Sequence, residues 1–365
     1  MRAELIAAAD LTPRELVRWR ELAARALEPN PFFEPEYVLP LARGLGQEKQ
    51  VQLLVAHDGE DWHGCLPVHL EPRWRGLPMR SVATWRGHVL YGLLGTPLIR
   101  SEDPVAATEA LLDQMPGPRS GAGLAVLEWV SCDGPLGDTV SGLLDRRRPA
   151  PIKFERFERA ALRRRAEPTY LEETLSSKHR RELGRQRRRL GEALGGEPTM
   201  VERTGEDAVY EELIRLEAAA TKAEQGTVLA ATPGHATFFV EMCRAFDALG
   251  RLQMLALQVD GQTVAMKCNL LAGDTIFPFK IAYDERWSAC SPGILLELEM
   301  LKFFHERTEA QMMDSCADAN NAMINRLWPD RRELGTFLLP AHGLRGRARR
   351  PALLAARSIR NHRIA

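Results

Sequence analysis

Three short stretches hold the residues whose types and spacing could do chemistry. Asp314 ends the apolar run Gln311-Met312-Met313-Asp314. A carboxylate beside two methionines loses solvation, which raises its pKa toward values useful in a proton acceptor. Its other reading is a helix cap ahead of Ser315-Cys316. Lys280 interrupts the apolar strand Thr275–Tyr283. It reads either as an edge lysine reaching for water or as a cleft cation pairing with Asp314 or a phosphate. Ser291-Pro292-Gly293 leads into the apolar run Ile294–Phe304. Proline suits the first turn of a helix. The first backbone donors of that helix, around Ser291, Gly293 and Ile294, would then form an anion site. A carboxylate near a phosphate cradle suits proton removal from a nucleophile that attacks a phosphate-bearing donor.

Further candidates flank this frame. Leu171, Leu175, Leu183, Leu190 and Leu194 predict one apolar helical face, with His179 within it. Lys178, Arg180, Arg181, Arg185 and Arg187–Arg189 surround that face, and Lys178 and Arg180 could hold an anionic headgroup or simply be solvated. Lys222 precedes Gly226-Thr227, and Trp328 and Arg331 lie close to the end. Trp328 reads as packing, whereas Arg331 could clamp an anion bidentately. Cys316 follows Asp314 closely enough to raise the question of a covalent acyl intermediate. Cys132 occupies the corresponding place in the first half, which favours a structural thiol.

The elements that must position these residues form two similar sets. Strands are predicted at Val51–Val55 and His63–Leu70 around Asp58-Gly59, and at Leu252–Val259 and Thr263–Leu271 around Asp260-Gly261. Glu128–Cys132 aligns with Met312–Cys316, so that Val130 stands where the second half has Asp314. We read two copies of one α/β module, the first degenerate and structural, the second active. The expected domains are residues 1–160, residues 161–342 and a basic tail, residues 343–365.

The quoted pieces together resemble the tandem GNAT acyltransferases of the CelD-like branch, relatives of the Fem-type aminoacyl transferases. They are Ser176–Leu183, Lys222–Thr227, Tyr283 to Gly293, Asp314-Ser315-Cys316 and Leu327–Arg332. The resemblance spans residues 165–340 and reaches the first half only in outline. It departs from the broad GNAT pattern at Pro292, which removes one backbone donor from the cofactor turn. It implies mixed, mostly antiparallel sheets flanked by helices, an acyl-CoA or acyl carrier protein donor, no metal, and amide formation. In that frame Asp314, Lys280 and His179 are the catalytic candidates. Ser291, Gly293 and Ile294 would hold the donor, and Lys178, Arg180, Lys222, Trp328 and Arg331 the substrate. Bacterial ceramide synthases belong to this branch, so a sphingoid-base lipid amine is the acceptor expected. A polysaccharide or peptidoglycan precursor is the alternative, and a non-enzymatic binding scaffold is the third reading.

Composition excludes other classes. The 365 residues carry no formal net charge, which gives no support to nucleic-acid binding by the whole protein. Six scattered cysteines without metal-ligand spacing read as reduced thiols of a cytosolic protein. The N-terminal apolar stretch is too short for a signal peptide, and no run reaches the roughly 20 apolar residues of a spanning helix. Residues 343–365 hold seven arginines and no acid. That tail suits peripheral attachment to an anionic membrane, at roughly 1 kcal/mol per basic residue near the surface.

Overall fold

Asp260-Gly261 closes a tight hairpin because both residues adopt positive φ, 47° and 76°. That is the turn whose twist matches its flanking strands. At Asp58-Gly59 only the glycine does so, in a longer loop. The chain is seen in a computed structural model that describes residues 1–116, 120–219, 229–341, 343 and 350–356. It divides into two units, the first comprising Met1–Ala42, Gln47–Glu158 and the chain from Arg332 onward. The second comprises Arg43–Gly46 and Arg159–Arg331.

In chain order the first unit holds β1 (Arg2–Ala7), α1 (Pro13–Ala24), α2 (Pro35–Gly44, whose end passes into the second unit), β2 (Gln52–His57), β3 (Trp62–Glu71) and β4 (Ser81–Thr84). There follow β5 (Leu98–Ile99), α3 (Pro104–Gln114), β6 (Leu124–Ser131), α4 (Gly134–Arg146) and β7 (Ile152–Arg163), which leaves the unit after Glu158. The second unit continues with α5 (Tyr170–Thr174), α6 (Ser177–Leu194), β8 (Thr199–Glu202), α7 (Val209–Ala218), α8 (Pro233–Asp247), β9 (Leu252–Val259), β10 (Gln262–Ala272) and β11 (Thr275–Tyr283). It ends with α9 (Pro292–Arg307), β12 (Met312–Asp314) and α10 (Ala322–Leu327), after which β13 (Asp330–Pro340) returns to the first unit.

The duplication is explicit in the strand directions. In the first unit β1, β2, β3 and β4 pair antiparallel in turn, β4 pairs parallel with β6, and β6 pairs antiparallel with β13. In the second, β8, β9, β10 and β11 pair antiparallel, β11 pairs parallel with β12, and β12 pairs antiparallel with β7. A parallel pair requires a crossover. It is α3 with β5 in the first unit and α9 in the second.

Capping chemistry sets the helix starts. Thr12 and Glu15 form a reciprocal capping box at α1, and Ser176 caps α6. That second cap splits the single basic helix expected from the leucine spacing into α5 and α6. His179 consequently lies in the exposed first turn of α6, with Nδ1 3.1 Å from Ser176 Oγ. The expectation that it sits in the leucine face is corrected by this break.

The β13 strand is tied into the first unit by a buried ion pair. Arg332 Nη2 lies 3.3 Å from Glu28 Oε2 and 3.2 Å from Ser131 Oγ, while Glu28 Oε1 accepts from Leu136 N–H at 2.9 Å. Burial pushes the Glu28 carboxyl above its ordinary range, against the opposing pull of Arg332. The folded state then binds this proton more tightly than the unfolded chain. Stability is therefore lost as pH rises from the unfolded carboxylate value through the folded one. Urea unfolding of the wild type and Glu28→Gln between about pH 4 and 7 should show the wild type losing ground to the variant as pH rises. A pH-independent difference would contradict it.

Candidate active site

The turn between β11 and α9 is built by local bonds. Asp284 accepts from Arg286 N–H at 3.0 Å, starting a short 3-10 turn over Glu285–Cys290. Ser291 then adopts a left-handed conformation, φ 53° and ψ 51°, and Pro292 opens the helix. Ser291 N–H donates to Ser288 O at 3.0 Å, and Ser291 O accepts from both Ile294 N–H and Leu295 N–H at 3.0 Å. Two of the three donors expected from the sequence, Ser291 and Ile294, are thus engaged within the turn. Gly293 N–H is the donor left over, with no acceptor among the described residues. A buried, unpaired backbone N–H is rare enough to require a partner. A Cβ there would lie 3.3 Å from Cδ1 of Tyr283 on β11, close enough that the ring must give by a few tenths of an ångström.

The equivalent crossover helix of the first unit is closed. The Asp103 carboxylate caps α3, its Oδ1 accepting from Ala106 N–H at 3.3 Å. An anion would meet that carboxylate rather than free donors. At α9 no side chain caps the helix.

Beyond the turn, β11 and β12 share only the rungs Thr275–Met312 and Ile276–Met313. From Phe277 to Tyr283, β11 hydrogen-bonds to β10 alone among the described strands, and Phe279 bulges out opposite Cys268/Asn269. Its ring stacks on Phe239 at 6.1 Å.

Asp314 ends β12 and is wholly enclosed. Its Oδ2 accepts from Arg159 Nη2 at 2.6 Å and its Oδ1 from Cys316 N–H at 3.2 Å. Arg159 is 1% exposed, so this is a buried ion pair. The partial desolvation expected of Asp314 is in fact complete burial against a cation. Lys280 does not meet Asp314. Its Nζ donates to Glu217 Oε1 on α7 at 2.6 Å, and Glu217 Oε2 accepts from Leu229 N–H at 2.8 Å.

A second buried pair was not foreseen. Lys267 Nζ on β10 lies 2.5 Å from Glu297 Oε1 on α9 and 5.7 Å from the centre of the Trp328 ring. One rung along, Asn269 Nδ2 reaches Gln253 Oε1 at 3.3 Å. Lys267 in Val264–Leu271 and Glu297 in Ile294–Phe304 are charges inside apolar runs. That is the signal that singled out Lys280, and it could have found both.

The remaining candidates are dispersed. Lys178 is exposed, and Arg180 donates to Leu175 O at 2.7 Å. Arg331 is not open to clamp an anion bidentately. Its guanidinium donates to the carbonyls of Trp328, Asp330 and Asn325, which fixes the end of α10. Trp328 is fully buried in the core with Met300, Phe304 and Tyr170. Lys222 and most of the basic tail lie outside the described residues. Among the described residues, no cluster of metal-ligating side chains occurs and no helix is long and apolar enough to cross a membrane.

Residues 177–321, from α6 to the cap of α10, match the family described as Acetyltransferase (GNAT) domain. With the sheet described above, that match over part of the second unit supports an N-acyltransferase. Among solved structures, FemX is similar over 96% of this chain and 100% of its own, at TM-score 0.59 and 10% identity. The C-terminal domain of a putative lysylphosphatidylglycerol synthetase from Agrobacterium fabrum gives TM-score 0.53 and 12% identity over 94% of both chains. L-PGS from Bacillus licheniformis gives 0.52 and 12% over 95% of this chain and 96% of its own. At these identities the likeness is one of fold. No curated protein matches the chain by sequence.

Proposed function

We propose that the protein forms an amide by direct transfer of an acyl group from a CoA-type thioester to an amine. The donor pyrophosphate sits on Gly293 N–H at the start of α9. The observation that carries this reading is the contrast between the two crossover helices. One is capped by Asp103, and the other presents an unpaired donor after a left-handed serine. A free alkylamine is mostly ammonium near pH 7, so transfer needs a proton acceptor. We read Asp314 as a positioning residue that fixes the end of β12 through Arg159, because both its oxygens are engaged.

For the acceptor, the sphingoid base expected from the sequence finds no counterpart among the similar structures. The proposal is accordingly set at an amine carried on a lipid or a cell-wall precursor. A second reading replaces CoA with an aminoacyl-tRNA. It is favoured by the exposed stripe Lys178, Arg181, Arg185, Arg188 and Arg189 on one face of α6, since arginine forks suit phosphates.

Calorimetric titration of CoA separates the two. Saturable binding is expected, with Gly293→Ala weakening it and Gly293→Val abolishing it in protein that still melts cooperatively. Equal affinity in all three would remove the donor from this turn. Failure of CoA to bind, with a gel shift on tRNA, would select the second reading.

A further inference from the structure

The first unit carries a cleft of its own. On the face of β6 that bears Val126, the chain forms a bulge, in which Glu128 and Trp129 together oppose Thr336 of β13. Trp129 sits at the left-handed position of that bulge, φ 54°, a conformation disfavoured for any large side chain. Bulges re-aim side chains, and a strained one held by a tryptophan marks a place where the aim matters. Here Glu128 and Trp129 both line a cleft of about 170 Å³, together with Arg75, Arg86, Glu155 and Thr336.

The lining is preorganised. Arg86 lies flat on Trp129, with Cζ 3.9 Å from the ring centre. Its Nε donates to Glu128 at 2.9 Å and its Nη1 to Gly92 O at 2.6 Å. Arg75 stands over the Phe154 ring at 5.0 Å, and Thr336 Oγ1 donates to Glu155 at 3.3 Å. Trp129 also meets Phe157 at 5.2 Å and 70°. The Arg86 side of the Trp129 ring is therefore covered and cannot stack a sugar ring.

Two arginines and two glutamates make the cleft neutral overall while keeping both signs within it. A phosphate would face the two carboxylates, and a simple cation the two guanidiniums. A ligand bearing both charges satisfies both sets. The space equals about six waters at ~30 Å³ each, which suits a small molecule. Val126 and Leu338 supply an apolar wall for a short side chain. We propose that the cleft of the first unit binds a small zwitterion, an α-amino acid with an apolar side chain. Its carboxylate lies toward Arg75 and Arg86, and its ammonium toward Glu128 and Glu155. The unit read as a degenerate copy then has a ligand site independent of the donor turn.

The test is calorimetric titration of the full chain with L-leucine, 3-methylbutylamine and 4-methylpentanoate. These are the amino acid and its single-charge analogues. D-glucose and inorganic phosphate complete the series. Leucine should bind saturably, and each analogue about tenfold or more weaker, the loss of one charge-assisted contact. Glu155→Gln and Arg75→Gln, both in partly open positions, should each weaken leucine by a similar factor without changing CoA affinity. No leucine binding at millimolar concentration overturns the proposal. So do analogues that bind as tightly as leucine, or tighter binding of glucose or phosphate. Unchanged leucine affinity in both variants overturns it as well.

Discussion

Replacing Asp314 with alanine should destabilise the second unit by about 3–5 kcal/mol, because it leaves the Arg159 guanidinium buried and uncompensated. The pair is enclosed on both sides, with Arg159 at 1% and Asp314 at 0% exposure, so water cannot take over. Urea unfolding followed by near-UV signals would show the midpoint shift. The paired replacement Asp314→Leu with Arg159→Met should recover most of the loss, since removing both charges also removes the desolvation cost. Asp314→Asn tests the chemical role separately. If Asp314 were the base, turnover per folded molecule would fall by about 10²–10⁴-fold. If it positions β12, turnover should follow the fraction folded, and raising pH should not rescue it.

Glu297→Ala should have an effect of similar size, about 3–5 kcal/mol. It strands the Lys267 ammonium between β10 and α9 with the Trp328 ring as its remaining neighbour of opposite polarity. A cation over an aromatic face is worth about 2 kcal/mol even when desolvated, so the ring offsets only part of the loss. Glu297→Leu with Lys267→Met is the control, expected to unfold near or above the wild-type midpoint. If the single and double variants unfold together, the two charges are not energetically paired.

Much of the frame was legible because its signals are local. β9 and β11 end where their apolar runs end, and the Asp-Gly turns announce both hairpins. The strands that escaped notice have weaker patterns. β1 and β8 are short and half exposed, and β13 begins Asp330-Arg331-Arg332-Glu333, which looks like solvent until Leu334–Pro340 goes under. In the site, Ser291-Pro292-Gly293 could be read as a helix start. Which of its donors stays unpaired could not be, since that depends on the left-handed φ of Ser291. The partners of the charged residues lie too far along the chain for periodicity to connect them. Lys280 finds Glu217, and Asp314 finds Arg159, only through the pairing of strands and helices remote in sequence.

The return of β13 to the first unit also sets an order of events during synthesis. The second unit, apart from Arg43–Gly46, is continuous from Arg159 to Arg331 and is complete before Arg332 has been added. The first unit, although begun earlier, lacks the strand that covers β6 until the chain has passed Pro340. At about 5–20 residues per second, the stretch between Glu158 and Arg332 keeps it waiting roughly 10–35 s on the ribosome. Through that interval the edge of β6 is an open template for other strands. The last-made strand thus acts as the latch of the first unit.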